Sequence, residues 1–208
     1  MVGQGVLREC LLAPDVERVL AIGRTATGKT DPKLRELVRS DLASYADIEA
    51  ELWGYDACFF CLGVSSLGMS EDAYRRITFD LTLAAARALA RLDPHMTFIY
   101  VSGEGTDSSE RGRRMWARVK GQTENALLAL PFKAVMFRPG GIVPLHGITS
   151  KTKLYRVLYA IGRPLWPILH RLFPQAVTTT EKIGLAMLRV AREGAVTPIL
   201  DTRAINAL

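Results

Sequence analysis

The segment Thr97-Phe-Ile-Tyr-Val101-Ser102-Gly103-Glu104-Gly105 decides the architecture. A run of aromatic and β-branched residues ends in a Ser-Gly-Glu-Gly cluster, which reads as a buried strand entering a loop. Upstream, Ile77, Leu81, Ala84, Ala85, Ala88 and Leu92 recur at helical spacing. Ser70 caps that helix, with Glu71 and Asp72 suiting its first turn, and Asp93-Pro94 stops it. Downstream, a second long helix is predicted from about Arg111 to Leu130, followed by the strand Lys133-Ala-Val-Met-Phe137. Apolar strands alternating with helices of this length indicate a parallel sheet flanked by helices.

The alternation continues outward from this segment. Gly3 to Leu12 reads as a helix ended by Pro14, Arg18-Val-Leu-Ala-Ile22 as a strand, and Glu36-Leu-Val-Arg39 as a weaker one. Leu42 to Leu52 reads as a short helix and Ala57-Cys-Phe-Phe-Cys-Leu62 as a buried strand. Thr178-x-x-Glu181 has the spacing of a capping box, opening a helix to about Arg192, and Pro198-Ile-Leu200 reads as a last strand. The order predicts an α/β fold with a doubly wound, mostly parallel sheet, in a single domain over 1–208.

The composition agrees: 208 residues, 49% hydrophobic and 23% charged, supply a buried core and exclude a disordered or low-complexity chain. The start lacks a basic, apolar leader, and no apolar stretch reaches the roughly 18 residues of a membrane span, so a cytoplasmic location is expected. Cys58-Phe-Phe-Cys61 has redox-motif spacing, but on a strand residues three apart point to opposite faces, so the thiols read as small hydrophobes. His95, His146 and His170 are scattered, and no metal site is expected.

The net charge of +6 is unevenly placed. Between Asn125 and Thr180 there is no Asp or Glu, while seven of the 27 Lys and Arg lie there; the remainder carries 20 basic against 21 acidic residues. The stretch 151–173 mixes Lys151, Lys153, Arg156, Arg163 and Arg171 with bulky aliphatics, and Pro164 and Pro167 break any single long helix. By its residues it reads as a substrate lid, a dimer contact or a peripheral surface for an anionic membrane. Nucleic-acid binding is not expected, because aliphatics dilute the cations and no recognition motif is present.

Ser102, then Trp116 fourteen positions on and Lys120 four beyond it, resembles the Ser/Tyr/Lys centre of the short-chain dehydrogenase/reductase family. The subgroup it is most similar to is the atypical, single-domain NAD(P)-binding proteins related to NmrA, TIP30 and the epimerase/dehydratase enzymes. The resemblance implies a Rossmann-like fold, an NAD(P) cofactor and, as the first choice for the region 142–178, a substrate pocket or lid, and it marks one departure. The family's tyrosine exchanges a proton with substrate; Trp116 has an N–H donor and no hydroxyl that titrates near neutrality.

Further positions follow in order from the same resemblance. Gly3-Gln-Gly5 leading into a helix is similar to the end of a Gly-rich phosphate turn, with Gly3 as its last glycine. A preceding strand and the first two glycines are not in the sequence, and we expect a start shortened by about ten residues. Arg24, at the end of the second expected strand, stands where an NAD site carries Asp or Glu; with Lys29 nearby, NADP is favoured over NAD. Asp41 and Leu42 resemble an adenine-contacting pair, Leu62 and Gly63 a strand end beside the cofactor ribose, and Pro139-Gly140 a turn at the nicotinamide end. Asp80 falls near a position where the family has an asparagine.

In this reading Ser102 binds a carbonyl, Lys120 binds the nicotinamide ribose and helps electrostatically, and Trp116 packs against substrate. Tyr100 and Tyr74 are the candidates to replace the missing tyrosine. The expectation is an atypical NADP(H)-binding oxidoreductase, monomer or homodimer, acting on a small, apolar carbonyl compound. Its alternative is a catalytically weak NAD(P)-binding sensor acting through a protein partner or a membrane surface.

Overall fold

The computed structural model describes residues 1–148 and 176–208. Most of the expected lid region, and all of the basic apolar stretch 151–173, lies outside the described residues. The chain opens with helix α1 (Val2–Leu12), then strands β1 (Val19–Gly23) and β2 (Leu34–Val38), the short helix α2 (Glu49–Leu52) and strand β3 (Ala57–Phe60). A continuous helical rod follows: α3 (Glu71–Arg75), a π-helical turn (Arg76–Asp80) and α4 (Leu81–Leu92). Next come β4 (Thr97–Val101), α5 (Met115–Leu128), β5 (Lys133–Arg138) and β6 (Gly141–Val143). The C-terminal part holds β7 (Val177–Thr179), α6 (Thr180–Glu193), β8 (Ile199–Asp201) and α7 (Thr202–Ala207).

Among the described residues every strand pair is parallel. β3, β4, β5 and β8 form a four-stranded sheet in that order; β1 pairs only with β2, and β6 only with β7. Alternation along the strands builds two cores. Phe98, Tyr100 and Met136 pack with Ala86, Leu89 and Leu127 of α4 and α5 on one face. Ile99, Val135 and Phe137 pack with Val6 and Cys10 of α1 and Ile183, Met187 and Val190 of α6 on the other. β1 contributes Leu20 and Ile22 to the first core and Val19 to the second, so it lies in the same layer as β3 although no ladder joins them. This is a helix/sheet/helix sandwich, as the apolar strand runs demanded.

Several local expectations shift. α5 starts at Met115 rather than Arg111, because Asp107 holds the preceding loop closed, accepting from the amides of Ser109 and Gly112. The helix after β7 is capped by Thr179, whose hydroxyl accepts from the Lys182 amide, so the capping box placed on Thr178 is one residue out. Glu181 turns instead to His146. The π-helical turn and the short elements β6, β7 and α7 carry no periodicity long enough to read from sequence.

Cys58 packs into the first core and Cys61 into the second, on opposite faces. Burial pushes each thiol up to about 12.

Candidate functional site

In a parallel sheet the C-terminal ends of the strands share one edge, and loops leaving that edge gather side chains from distant parts of the chain. Here that edge receives Gly23-Arg24 after β1, Cys61-Leu62-Gly63 after β3, Ser102-Gly103 after β4 and Pro139-Gly140 after β5. The first turn of α1 reaches it too: a Cβ built on Gly3 would lie 3.3 Å from the Cβ of Cys61.

The tightest cluster sits between the end of β4 and α5. Ser102 is buried, and its hydroxyl donates to the Phe137 carbonyl at 3.2 Å. Lys120 donates through Nζ to the carbonyl of Ser102, and a Cβ on Gly103 would come within 3.9 Å of that nitrogen. Gly103 has φ +136°, a conformation that side chains rarely adopt, so the loop turns there by virtue of glycine. The rim of Trp116 lies 3.3 Å from a Cβ position on Gly105. Trp116 and Lys120 thus line one face of α5 toward this loop, as their four-residue spacing requires.

Two features set the electrostatics. Loss of water on burial lowers Lys120 from its ordinary value to about 8, opposed by the charge of Glu124 one helical turn on. Glu124 is fully buried, yet Arg138 claims it, Nε donating to its two oxygens at 3.0 and 3.2 Å and Nη2 also bonding. Arg138 reaches on to Ser108 Oγ at 2.5 Å.

The candidate replacement tyrosines are sealed in the core. Tyr100 is 1% and Tyr74 2% exposed. Burial pushes both phenols above their ordinary range.

The remaining expected positions are dispersed around the same edge. Arg24 and Lys29 are exposed in the loop after β1, and among the described residues the Arg24 side chain has no hydrogen-bond or ion-pair partner. The nearby carboxylate of Glu36 accepts from the Thr27 amide at 2.7 Å, which holds its pKa down. Asp41 Oδ1 accepts from the Ala43 amide at 2.7 Å, a local turn contact, and Leu42 is buried. Leu62 is half-buried, and a Cβ on Gly63 would meet nothing within 4 Å. Pro139 is buried and accepts from the Glu104 amide at 2.9 Å, while the Gly140 amide donates to Thr202 Oγ1 at 2.8 Å. Asp80 is exposed at the end of the π-helical turn.

Sequence reasoning missed the residues that fix the site from behind. Glu124 and Arg138 lie on a helix and a strand, with no motif linking them. Thr202 and Glu104 meet the Pro139-Gly140 turn only through tertiary packing. Glu9, His146 and Glu181 also converge, their ligating atoms within 4.8 Å of one another. Each has a protein partner, however: Glu9 pairs with Arg8 at 2.5 Å, and His146 Nε2 meets Glu181 Oε2. A shallow groove of about 370 Å³ lies between the helical rod and α5, lined by Arg75, Phe79, Gln122 and Asn125, on the face of α5 away from Lys120.

No family model matches the chain. Protein FMP52-1, mitochondrial, of Scheffersomyces stipitis is 27% identical over 172 residues, covering 79% of this chain and 75% of the relative. Protein fmp52, mitochondrial, of Emericella nidulans is 29% identical over 148 residues, covering 67% and 62%. Those names overturn the expected cytoplasmic location, which rested on finding neither a readable leader nor a span-length apolar stretch. No helix of the described residues is long and apolar enough to cross a membrane. Among solved structures, the Bordetella bronchiseptica enzyme WbmF in complex with NAD+ superposes with a TM-score of 0.67 at 15% identity, covering 97% of this chain and 69% of that one. RMD from Pseudomonas aeruginosa, complexed with NADPH, gives 0.57 at 16% identity, covering 88% and 78%. The chain has the Rossmann-like α/β fold of these dinucleotide-bound enzymes, as its strand order and strand-end glycines led us to expect.

Proposed function

We propose that the chain binds a nicotinamide dinucleotide across the C-terminal ends of β1, β3, β4 and β5 and works as an oxidoreductase on a small, apolar carbonyl compound. The observation that carries this reading is the convergence of Gly63, Ser102, Lys120 and the Pro139-Gly140 turn on that one edge. The dinucleotide fits there on local grounds. Gly63 leaves open space where any side chain would intrude, and no packing within the protein requires glycine at that point. Arg24 has a guanidinium without a partner among the described residues, at the strand end where a 2′-phosphate would lie, and the carboxylate of Glu36 on β2 is engaged by the Thr27 amide. These two features support NADP(H) over NAD(H). Relatives named as mitochondrial proteins support a mitochondrial location.

When bound, the nicotinamide supplies or accepts a hydride. Gly3 and the first turn of α1 would face the pyrophosphate, Leu62 and Gly63 the ribose, Pro139 and Gly140 the nicotinamide end, and Asp41 and Leu42 the adenine. Lys120 would hold the nicotinamide ribose, Ser102 would turn its hydroxyl from Phe137 to the substrate carbonyl, and Trp116 would exclude water beside it.

Fluorescence titration with NADPH and NADH tests the reading. NADPH is expected to bind in the micromolar range and NADH more weakly, with Arg24→Ala removing most of the difference. Absence of binding by both at millimolar concentration rejects it. The second reading, a cofactor sensor with little turnover, is favoured by Trp116 alone. It predicts NADPH binding without oxidation across a carbonyl panel, and turnover gained by Trp116→Tyr.

A further inference from the structure

We infer that Lys120 itself carries the proton at this site, giving it to the substrate oxygen in reduction and taking it back in oxidation. The inference rests on the proposed dinucleotide site and names the side chain that does the acid–base work there. Four observations lead to it.

Lys120 Nζ lies at the strand-end edge, on the Ser102 carbonyl and beside the space that Gly103 leaves free. Among the described residues it has no carboxylate within ion-pair distance. Glu124 on its own helix is bound to Arg138 of β5, and exposed Glu104 of the β4–α5 loop lies against Gly140. An ammonium taken from water and held by a single carbonyl loses its proton easily, and its lowering to about 8 has that cause. Finally, among the described residues the other candidates for the role are unsuited to it: Trp116 has no titrating hydroxyl, the Ser102 hydroxyl is given to the Phe137 carbonyl, and Tyr74 and Tyr100 are buried with phenols raised by loss of water.

The step balances with the reduced dinucleotide as co-reductant. The carbonyl carbon gains hydride, the π pair of the C=O bond moves to oxygen, and an N–H bond of the Lys120 ammonium breaks as the alcohol O–H forms. The neutral amine then regains its proton from water. A group that titrates near the working pH serves both directions.

Two measurements test this. With [13C,15N]-lysine protein, the ε resonance absent from Lys120→Arg should titrate near pH 8; a titration above pH 10 overturns the inference, whether or not a dinucleotide binds. With NADPH and 4-nitrobenzaldehyde as probe, turnover should fall as pH rises through about 8. Lys120→Arg keeps the positive charge but cannot release its proton, so at saturating NADPH it should lose at least a hundredfold in kcat, with its own Kd for NADPH measured alongside. An unchanged kcat, or an unchanged pH profile, shows a purely electrostatic lysine and overturns the inference. NADPH binding without turnover of any carbonyl probe overturns it as well. Failure to bind NADPH at all, with Lys120 titrating near 8, rejects the proposed dinucleotide site instead, and the proton role falls with it.

Discussion

Glu124 is a carboxylate with no exposure to solvent, and Arg138 is what makes that tolerable. Removing the cation strands a buried charge, so Arg138→Leu should cost about 3–5 kcal/mol in denaturant unfolding, and Glu124→Leu added to it should restore part of the loss. Lys120 is the opposite case, a desolvated cation without a carboxylate. Its lowered pKa means the unfolded chain binds more protons between about pH 8 and the ordinary lysine value near 10.5, so wild-type stability rises with pH across that window. Lys120→Met should therefore be more stable than wild type at pH 7, by about 1 kcal/mol or more, with the difference vanishing by pH 10.5. Urea midpoints at the two pH values check this. Lys120 and Trp116 were legible in the sequence because a helical repeat sets their spacing. Glu124–Arg138 was not, because a helix-to-strand ion pair leaves no pattern along the chain.

At the level of elements, α1 and α6 approach so closely that glycines are required. A Cβ on Gly5 would fall 2.6 Å from the Cβ and 2.7 Å from the carbonyl oxygen of Thr180, both fixed atoms at the start of α6. On Gly184 it would meet chiefly the flexible Glu9 side chain, at 2.6 Å. Gly5→Ala should thus lower stability by about 1–3 kcal/mol and Gly184→Ala by less, read by thermal melts. Gly63→Ala has open space and should leave stability within about 0.5 kcal/mol of wild type while weakening NADPH binding. By sequence Gly3-Gln-Gly5 resembles the end of a phosphate turn, with Gly3 as its last glycine. The structure divides the pair, with Gly3 beside β3 and Gly5 serving the helix crossing, a distinction visible only once α6 is in place. Long periodic elements such as α4 and β4 were readable, since their apolar faces are large. β6, β7 and α7 were not, because three to six residues cannot display a period.

For the molecule as a whole, a ligand that binds only the folded chain raises its stability by mass action. NADPH at a hundred times its Kd should add about 2.7 kcal/mol, seen as a rise in Tm that NADH at the same concentration does not match. The sheet layer also sets an order of opening. Among the described residues, β4 and β5 are bonded on both sides, β4 by β3 and β5 by β8 at the outer edges, whereas β1 and β2 bond only to each other and reach the rest of the layer through side chains such as Leu20 and Ile22. No backbone ladder links their opening to that of the central strands. In native-state hydrogen exchange the amides of β1 and β2 should therefore exchange together through a local fluctuation, while those of β4 and β5 wait for global unfolding. Among the described strands, the arm that carries Arg24 would then open more readily than the central ones.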